Sequence, residues 1–66
     1  MARIRELRKK IGFSISRLSQ EAKLNASVLS YVELGKLAAS PAVRKALSKF
    51  YKQPLDELFD ERGLAR

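Results

Sequence analysis

The chain has 66 residues and a net charge of +7, and it contains no cysteine, histidine or tryptophan. This composition excludes a disulfide, a thiolate zinc site and a redox centre, and the scattered acidic residues form no metal-ligand cluster. Its longest apolar runs are two to three residues, too short for a membrane span or a signal peptide. We therefore expect one small domain over residues 1–66, with no cofactor, no membrane partner and a cytoplasmic location.

Basic residues are concentrated in the first part of the chain. Residues 1–52 contain twelve lysines and arginines against three glutamates, whereas residues 53–66 contain two against four acidic residues. Together with a pI of about 10.3, this distribution is typical of a protein that binds a polyanion such as nucleic acid. The alternative is that the charge serves only solubility.

The first helix is predicted over residues 2–11. Its buried stripe recurs at helical spacing and consists of Ile4, Leu7 and Ile11. Gly12 follows where a left-handed C-terminal cap favours a residue without Cβ. Arg8 is a candidate contact to a DNA phosphate, although basic residues at this end of a helix also stabilise its dipole.

The second helix is predicted over residues 15–22, with Ser14 as its N-terminal cap. Its apolar face carries Leu18 and Ala22. Free N–H groups and the helix dipole favour an anion at the amino end, so Ser14, Ser16 and Arg17 are candidate phosphate contacts. The alternative for Ser14 is that it only caps the helix.

The third helix is predicted over residues 26–34, between the cap residues Asn25 and Gly35. A three-residue bend separates it from the second helix, and this layout predicts a helix-turn-helix over residues 14–35. Its buried face consists of Val28, Leu29 and Val32. Its outward face is small and polar at the amino end, so it can approach a groove closely, and the candidate base contacts are Ala26, Ser27, Ser30 and Tyr31. An ordinary solvent-facing helix would tolerate the same residues.

Two further helices are predicted, over residues 41–51 and 55–61, and Gly63 is expected to end the second of them. Ser40 caps the first, whose buried stripe consists of Val43, Ala46, Leu47 and Phe50. The last helix carries more apolar surface than the end of so small a domain needs. Leu58 is assigned to the core, and the candidate dimer contacts are Leu55, Phe59 and Leu64. Completion of the monomer core is the competing explanation for this surface.

The run GFSISRLSQEAKLNASVLSYVELGK resembles the phage lambda repressor/Cro-type (XRE-like) helix-turn-helix family. The matching positions are Gly12, Phe13, Ser14, Leu18, Ala22, Leu29, Ser30, Glu33 and Gly35. The similarity continues into Ser40-Pro41 and into the segment LDELF near the end of the chain. The resemblance implies an all-α, compact domain of five short helices, the third of which enters the major groove of double-stranded DNA.

Carried over by position, the resemblance implies base reading by Ala26, Ser27 and Tyr31 and a backbone contact by Ser30. In the family, the loop after the third helix and the start of the fourth approach the phosphates, and here they carry Lys36, Ser40 and Arg44. The chain departs from the family pattern at Ile15, Lys23 and Ala26, where a glutamine, a glycine and a polar residue are usual. With fewer direct base contacts, specificity would depend more on DNA shape and on dimer spacing.

These observations predict a small sequence-specific DNA-binding transcriptional regulator: a Cro-like repressor, a control protein or an antitoxin-type autoregulator. We expect a homodimer on a palindromic site, and we expect no enzyme activity because the chain has no catalytic constellation. The alternative is a protein-interaction module on the same fold, which binds a toxin, a polymerase subunit or another regulator and binds DNA only nonspecifically.

Overall fold

The computed structural model describes residues 2–66, which contain five helices and no regular strand. In chain order these are α1 (Arg3–Lys10), α2 (Ile15–Ala22), α3 (Ala26–Glu33), α4 (Pro41–Tyr51) and α5 (Leu55–Leu58). The predicted all-α, five-helix class is confirmed. The bounds of the first four helices lie within one residue of the predicted ones, and the starts of α2, α3 and α4 are set by local capping groups.

Three side chains cap helices at their amino ends. The side-chain oxygens of Ser14, Asn25 and Ser40 accept hydrogen bonds from the backbone N–H three residues further on, with N···O distances of 3.1, 3.1 and 3.3 Å. Each such cap stabilises a helix by about 1 kcal/mol. The caps therefore define where α2, α3 and α4 begin, as predicted.

Lys23 ends α2 in the left-handed conformation, with φ +57° and ψ +46°. A residue with a Cβ pays about 1 kcal/mol there relative to glycine. The turn between α2 and α3 forms nonetheless, because Leu24 beside it packs against the core. The predicted bend over residues 23–25 is thus present despite the unusual residue.

All five helices contribute to one core. Its buried members are Ile4, Leu18, Leu29, Val32, Ala39, Leu47, Leu58 and Phe59. The prediction for Ile11 was wrong, since this side chain is 47% exposed. Ile11 lies beyond the last residue of α1, where the chain turns away, and it therefore leaves the face that Ile4 and Leu7 share.

The last part of the chain differs most from the sequence prediction. Helix α5 ends at Leu58 and not at residue 61, because Phe59 is extended, with φ −136° and ψ +151°, and pairs with Ala65 in an antiparallel bridge. The side-chain Oδ1 of Asp60 accepts from the backbone N–H groups of Arg62 and Leu64, at 2.9 and 3.0 Å. A tight turn therefore replaces the predicted last helical turn, and Gly63 lies within this turn instead of ending a helix.

We call residues 59–66 the C-terminal segment, and backbone hydrogen bonds tie it to the rest of the domain. The N–H of Ala39 donates to the carbonyl of Gly63 at 2.8 Å, and the N–H of Arg3 donates to the carbonyl of Arg66 at 2.6 Å. The segment thus connects the start of α1 with the loop before α4. No helix within residues 2–66 has the length and apolar character needed to cross a membrane.

Among the buried side-chain polar groups of residues 2–66, one makes no hydrogen bond, namely the hydroxyl of Tyr51 at the end of α4. Burial raises the pKa of Tyr51 to about 12 from an ordinary value of 10.0, and the negative charge of Glu33 adds to this shift. Between these two pH values the folded protein keeps a proton that the unfolded chain has lost. The contribution of this hydroxyl to the free energy of unfolding is therefore complete below pH 10, and it declines as pH rises towards 12.

We therefore expect the free energy of unfolding to decline from about pH 10 upwards, and Tyr51→Phe to remove this part of the decline. Below pH 10 the same variant should be at least as stable as the wild type, because it deletes an unpaired hydroxyl. Urea denaturation at pH 8, 10 and 11 measures both effects. Tyr31→Phe, at a 52% exposed position, is the matched control. A decline that persists unchanged in Tyr51→Phe would contradict the assignment.

Candidate nucleic-acid interface

Helices α2 and α3 form the helix-turn-helix that the sequence predicts. They pack on each other more extensively than any other pair of helices in the described range. Leu18 of α2 and Leu29 of α3 are almost completely buried at this contact, and the turn between the helices spans three residues. Behind α2, the ring of Phe13 lies 6.0 Å from the ring of Phe50 and so connects the start of α2 to α4. Helices α2 and α3 are therefore both packed against the core.

The outward face of α3 is where the sequence places its base contacts. Ser27 and Tyr31 lie one helical turn apart and are exposed, Tyr31 by 52%. Ala26 and Ser30 form the adjacent row and are partly buried. Two hydroxyl groups, a methyl group and a phenol are thereby presented together, and they can donate to, accept from and pack against base edges. The structure brings all four predicted residues onto one surface; their contacts with DNA stay a prediction.

The amino end of α2 presents Ser14, Ser16 and Arg17 within one turn. The Oγ of Ser14 accepts from the backbone N–H of Arg17, so its own hydroxyl proton stays available to an acceptor such as a phosphate. The guanidinium carbon of Arg17 lies 4.6 Å from the centroid of the Phe13 ring. This cation–π contact holds the charge at the surface close to the helix end. The three predicted phosphate contacts therefore lie together, and Ser14 also serves as the cap.

The remaining predicted phosphate contacts follow α3. Lys36 and Ser40 are exposed in and after the loop, and Ser40 caps α4. Arg44 is half-buried, and its guanidinium lies beside Gly63. The distance from the guanidinium to the position that a Cβ of Gly63 would occupy is 3.4 Å. The structure thus places Arg44 against the C-terminal segment, whereas Lys36 projects from the loop.

The structure gives Arg8 partners inside the domain, and its predicted contact with a phosphate stays a prediction. Its Nε and Nη2 donate to Oε2 and Oε1 of Glu33 at 2.8 and 3.0 Å, and its Nη1 donates to the carbonyl of Phe13 at 2.8 Å. The hydrogen bond to Glu33 also raises the pKa of Arg8 above its ordinary value. All three guanidinium nitrogens are used inside the domain. Arg8 therefore fastens α1 to the carboxyl end of α3 and to the loop before α2.

Glu33 is the residue whose role the sequence did not disclose. Its side chain is only 4% exposed and that of Arg8 is 13% exposed, so the pair is shielded from water. The partners are separated by 25 positions in the chain, and nothing in local periodicity relates them. The similarity to the family pattern at Glu33 was the one available signal, and it did not indicate a partner.

The three predicted dimer contacts have different environments. Leu55 is 46% exposed, Leu64 is half-buried, and Phe59 is 2% exposed, so the prediction for Phe59 was wrong because its ring completes the monomer core. Leu34 and Leu37, which the sequence did not single out, are 55% and 41% exposed just after α3. The apolar surface available to a partner is therefore centred on leucines in two different parts of the chain.

Comparison with known proteins identifies one family. The model of a family described as Helix-turn-helix matches residues 4–58, a range that runs from the first turn of α1 to the end of α5. Neither the curated proteins nor the solved structures include a match to the chain. The matched range contains both α2 and α3 and most of the core, and it ends where the C-terminal segment begins.

Proposed function

Because the chain belongs to the lambda repressor/Cro-type family of DNA-binding helix-turn-helix transcription regulators, we propose that it recognises a specific DNA sequence by placing α3 in the major groove. The observation that carries this proposal is the outward face of α3, where four small or hydrogen-bonding side chains lie together on a helix that the core holds firmly. Ala26, Ser27, Ser30 and Tyr31 read the bases in this proposal.

Phosphate contacts fix the orientation of the domain on the duplex. Ser14, Ser16 and Arg17 supply them from the amino end of α2, where backbone N–H groups and the helix dipole add to the attraction. Lys36, Ser40 and Arg44 supply them from the loop after α3 and the start of α4. With an excess of basic residues over residues 1–52, the approach to DNA is favoured at long range as well.

The size of the domain supports a homodimer on a palindromic site. The Cα atoms extend over 27 × 21 × 21 Å. Two successive major-groove half-sites on one face of DNA are about 34 Å apart, so a single domain of this size reads only one of them. A second copy doubles the number of base contacts, which matters for a reading surface with few long polar side chains. Occupying the site excludes other proteins, so repression is the expected effect.

The decisive experiment selects binding sites from random duplexes and then compares the selected sequence with a scrambled one. We expect an enriched palindrome, and a higher affinity for it than for the scrambled duplex between 50 and 200 mM salt. A steep loss of affinity with salt would by itself report only phosphate contacts. Equal affinity for both duplexes at every salt concentration would contradict sequence-specific binding.

Ser27→Asp should weaken binding to the selected site at least about tenfold, because it places a carboxylate against the bases and phosphates. The unfolding free energy should stay within about 0.5 kcal/mol, since Ser27 is exposed and an acidic residue is favourable in the first turn of a helix. Lys49→Gln on the exposed face of α4 is the control, because it lowers the net charge by the same amount. Equal, small losses of affinity in both variants would remove α3 from the interface.

The second candidate is a protein-interaction module on this fold, with a toxin, a polymerase subunit or another regulator as its partner. Ile15 favours it, because this side chain packs partly against the core and offers no hydrogen bond to a phosphate at a position where the family has glutamine. A stoichiometric protein complex through α2 and α3, together with only nonspecific DNA binding, would support this candidate over the first.

A further inference from the structure

The outward face of α3 contains no charged or amide side chain. The single charged residue of this helix is Glu33, whose side chain is buried together with that of Arg8. Asn25, immediately before α3, serves as its cap: the Oδ1 of Asn25 accepts from the backbone N–H of Val28 at 3.1 Å, which directs the side chain to the end of the helix. The outward face therefore offers a methyl group and three hydroxyl groups to the bases.

Such a face lacks the side chains that distinguish bases by paired hydrogen bonds. In the major groove, arginine or lysine pairs with guanine, asparagine or glutamine pairs with adenine, and a carboxylate accepts from cytosine. The lysines closest in sequence, Lys23 and Lys36, lie in the turn before α3 and in the loop after it. The hydroxyls of Ser27, Ser30 and Tyr31 each combine a rotatable O–H donor with acceptor lone pairs, so they can bond to any base edge. Hydrogen bonds from α3 thus contribute little to discrimination between bases.

The groups on this face that can distinguish bases are apolar. Ala26 presents a methyl group at the first position of α3, and Tyr31 presents a ring that is 52% exposed and lies outside the core cluster. Among the four standard bases, only thymine has an apolar group on its major-groove edge, the 5-methyl group, and alanine methyl groups and aromatic rings pack against it. The short side chains of Ala26 and Ser27 let the base edges approach the helix closely, as this contact requires.

We propose that α3 reads the 5-methyl groups of pyrimidines, with Ala26 and Tyr31 as the residues in contact with them. This assignment rests on the proposed function, because it requires α3 to lie in the major groove. Cytosine methylated at C5 carries the same methyl group at the same place in the groove. The rotatable hydroxyls also accommodate the amino group of cytosine as readily as the O4 atom of thymine. The protein therefore distinguishes methylated from unmethylated cytosine at positions that face α3.

Replacement of thymine by uracil in the DNA tests the methyl contact without a change in the protein. The probe is the duplex enriched by selection from random DNA, with one thymine of a half-site changed to uracil at a time, so that only a methyl group is lost. Each thymine in contact with α3 should lose affinity about fourfold, the value of one buried methyl group. Uracil at thymines outside the half-sites is the control and should leave the affinity unchanged. Fluorescence anisotropy at one fixed salt concentration measures both.

Methylation of cytosine provides the converse test. A T·A pair that responds to uracil is changed to C·G, and the duplex is prepared once with cytosine and once with 5-methylcytosine. The methylated duplex should bind about fourfold more tightly, because the methyl group is restored. Methylation of a cytosine outside the half-sites is the matched control and should have no effect on affinity.

Two protein variants assign the contacts to their residues. In Ala26→Gly, the ratio of affinities for thymine and uracil should fall from about four to about one at one thymine position, because the methyl group of the protein is absent. Tyr31→Ala, at an exposed position, should do the same at another thymine. Ala42→Gly is the control, since it makes the same change in the exposed first turn of α4 and should keep the ratio of the wild type. Urea denaturation verifies that each variant is folded.

The possible failures are distinguishable. A selected site that is bound specifically but tolerates uracil at every thymine, or that contains no thymine in its half-sites, would overturn methyl reading and leave the proposed function intact. A uracil effect that persists unchanged in both Ala26→Gly and Tyr31→Ala would overturn the assignment of these residues. The absence of any sequence preference would refute the proposed function, and methyl reading with it.

Discussion

Arg8→Met should lower the free energy of unfolding by about 3 to 5 kcal/mol, because it leaves the Glu33 carboxylate buried without its partner. The Glu33 side chain is only 4% exposed, and Arg8 supplies two of its hydrogen bonds, at 2.8 and 3.0 Å. The substitution also removes the donor to the carbonyl of Phe13. A domain of this size has a total stability of about 3 to 10 kcal/mol, so the loss is a large fraction of that stability.

The double variant Arg8→Met, Glu33→Leu distinguishes the contribution of the ion pair to stability from the contribution of side-chain packing. Replacement of both partners by apolar residues removes the buried charge, and it should restore most of the lost stability. Urea denaturation of the wild type, both single variants and the double variant gives the coupling free energy directly. A loss below about 1 kcal/mol in Arg8→Met would mean that the pair behaves as an exposed salt bridge, and it would favour the predicted phosphate contact of Arg8.

Gly63→Ala should cost about 2 to 4 kcal/mol, from backbone strain and a steric clash that act together. Gly63 has φ +87°, and a Cβ there would lie 2.8 Å from the carbonyl oxygen of Ala39. The two residues have little freedom to separate, because the N–H of Ala39 donates to the carbonyl of Gly63 at 2.8 Å. The added methyl group would therefore displace the C-terminal segment from the loop before α4.

Gly12→Ala is the matched control for this prediction. Gly12 has a similar φ of +74°, but a Cβ there meets nothing within 4 Å. Only the left-handed strain remains, at about 1 kcal/mol. Thermal or urea denaturation of the two variants isolates the contact with Ala39 as the difference between them. Equal losses would show that the C-terminal segment yields to the methyl group.

Local chemistry explains why the sequence predicted the helices so closely. Ser14, Asn25 and Ser40 each bond a backbone N–H three residues away, so the start of a helix is encoded within one turn. The faces of α3 follow from helical periodicity in the same way: Leu29 and Val32 are buried, whereas Ser27 and Tyr31 are exposed. The outward face of α3 could therefore be predicted from the sequence, and the family resemblance supported that prediction.

The conformation of the end of the chain could not be predicted from such local interactions. The pattern over residues 55–61 is compatible with a helix, but the helix stops at Leu58 because Phe59 gains more from insertion into the core than from another helical turn. The position of this helix end depends on the site that the other helices leave for the Phe59 ring. It also depends on the hydrogen bonds that the N–H groups of Ala39 and Arg3 donate to the C-terminal segment. Exposure of Ile11 has a similar origin, since the turn after α1 moves it off the buried face.

The sequence by itself thus determined the helix-turn-helix, its caps and its outward residues, because each depends on groups within a few positions of one another. Only the tertiary structure decided that Arg8 binds Glu33, since the two are 25 positions apart and meet only when α1 and α3 share a core. It also decided that the ring of Phe59 is buried in the core and that Gly63 lies against Ala39. Charged and apolar residues can be counted along a chain, but which of them contact one another depends on how the helices pack.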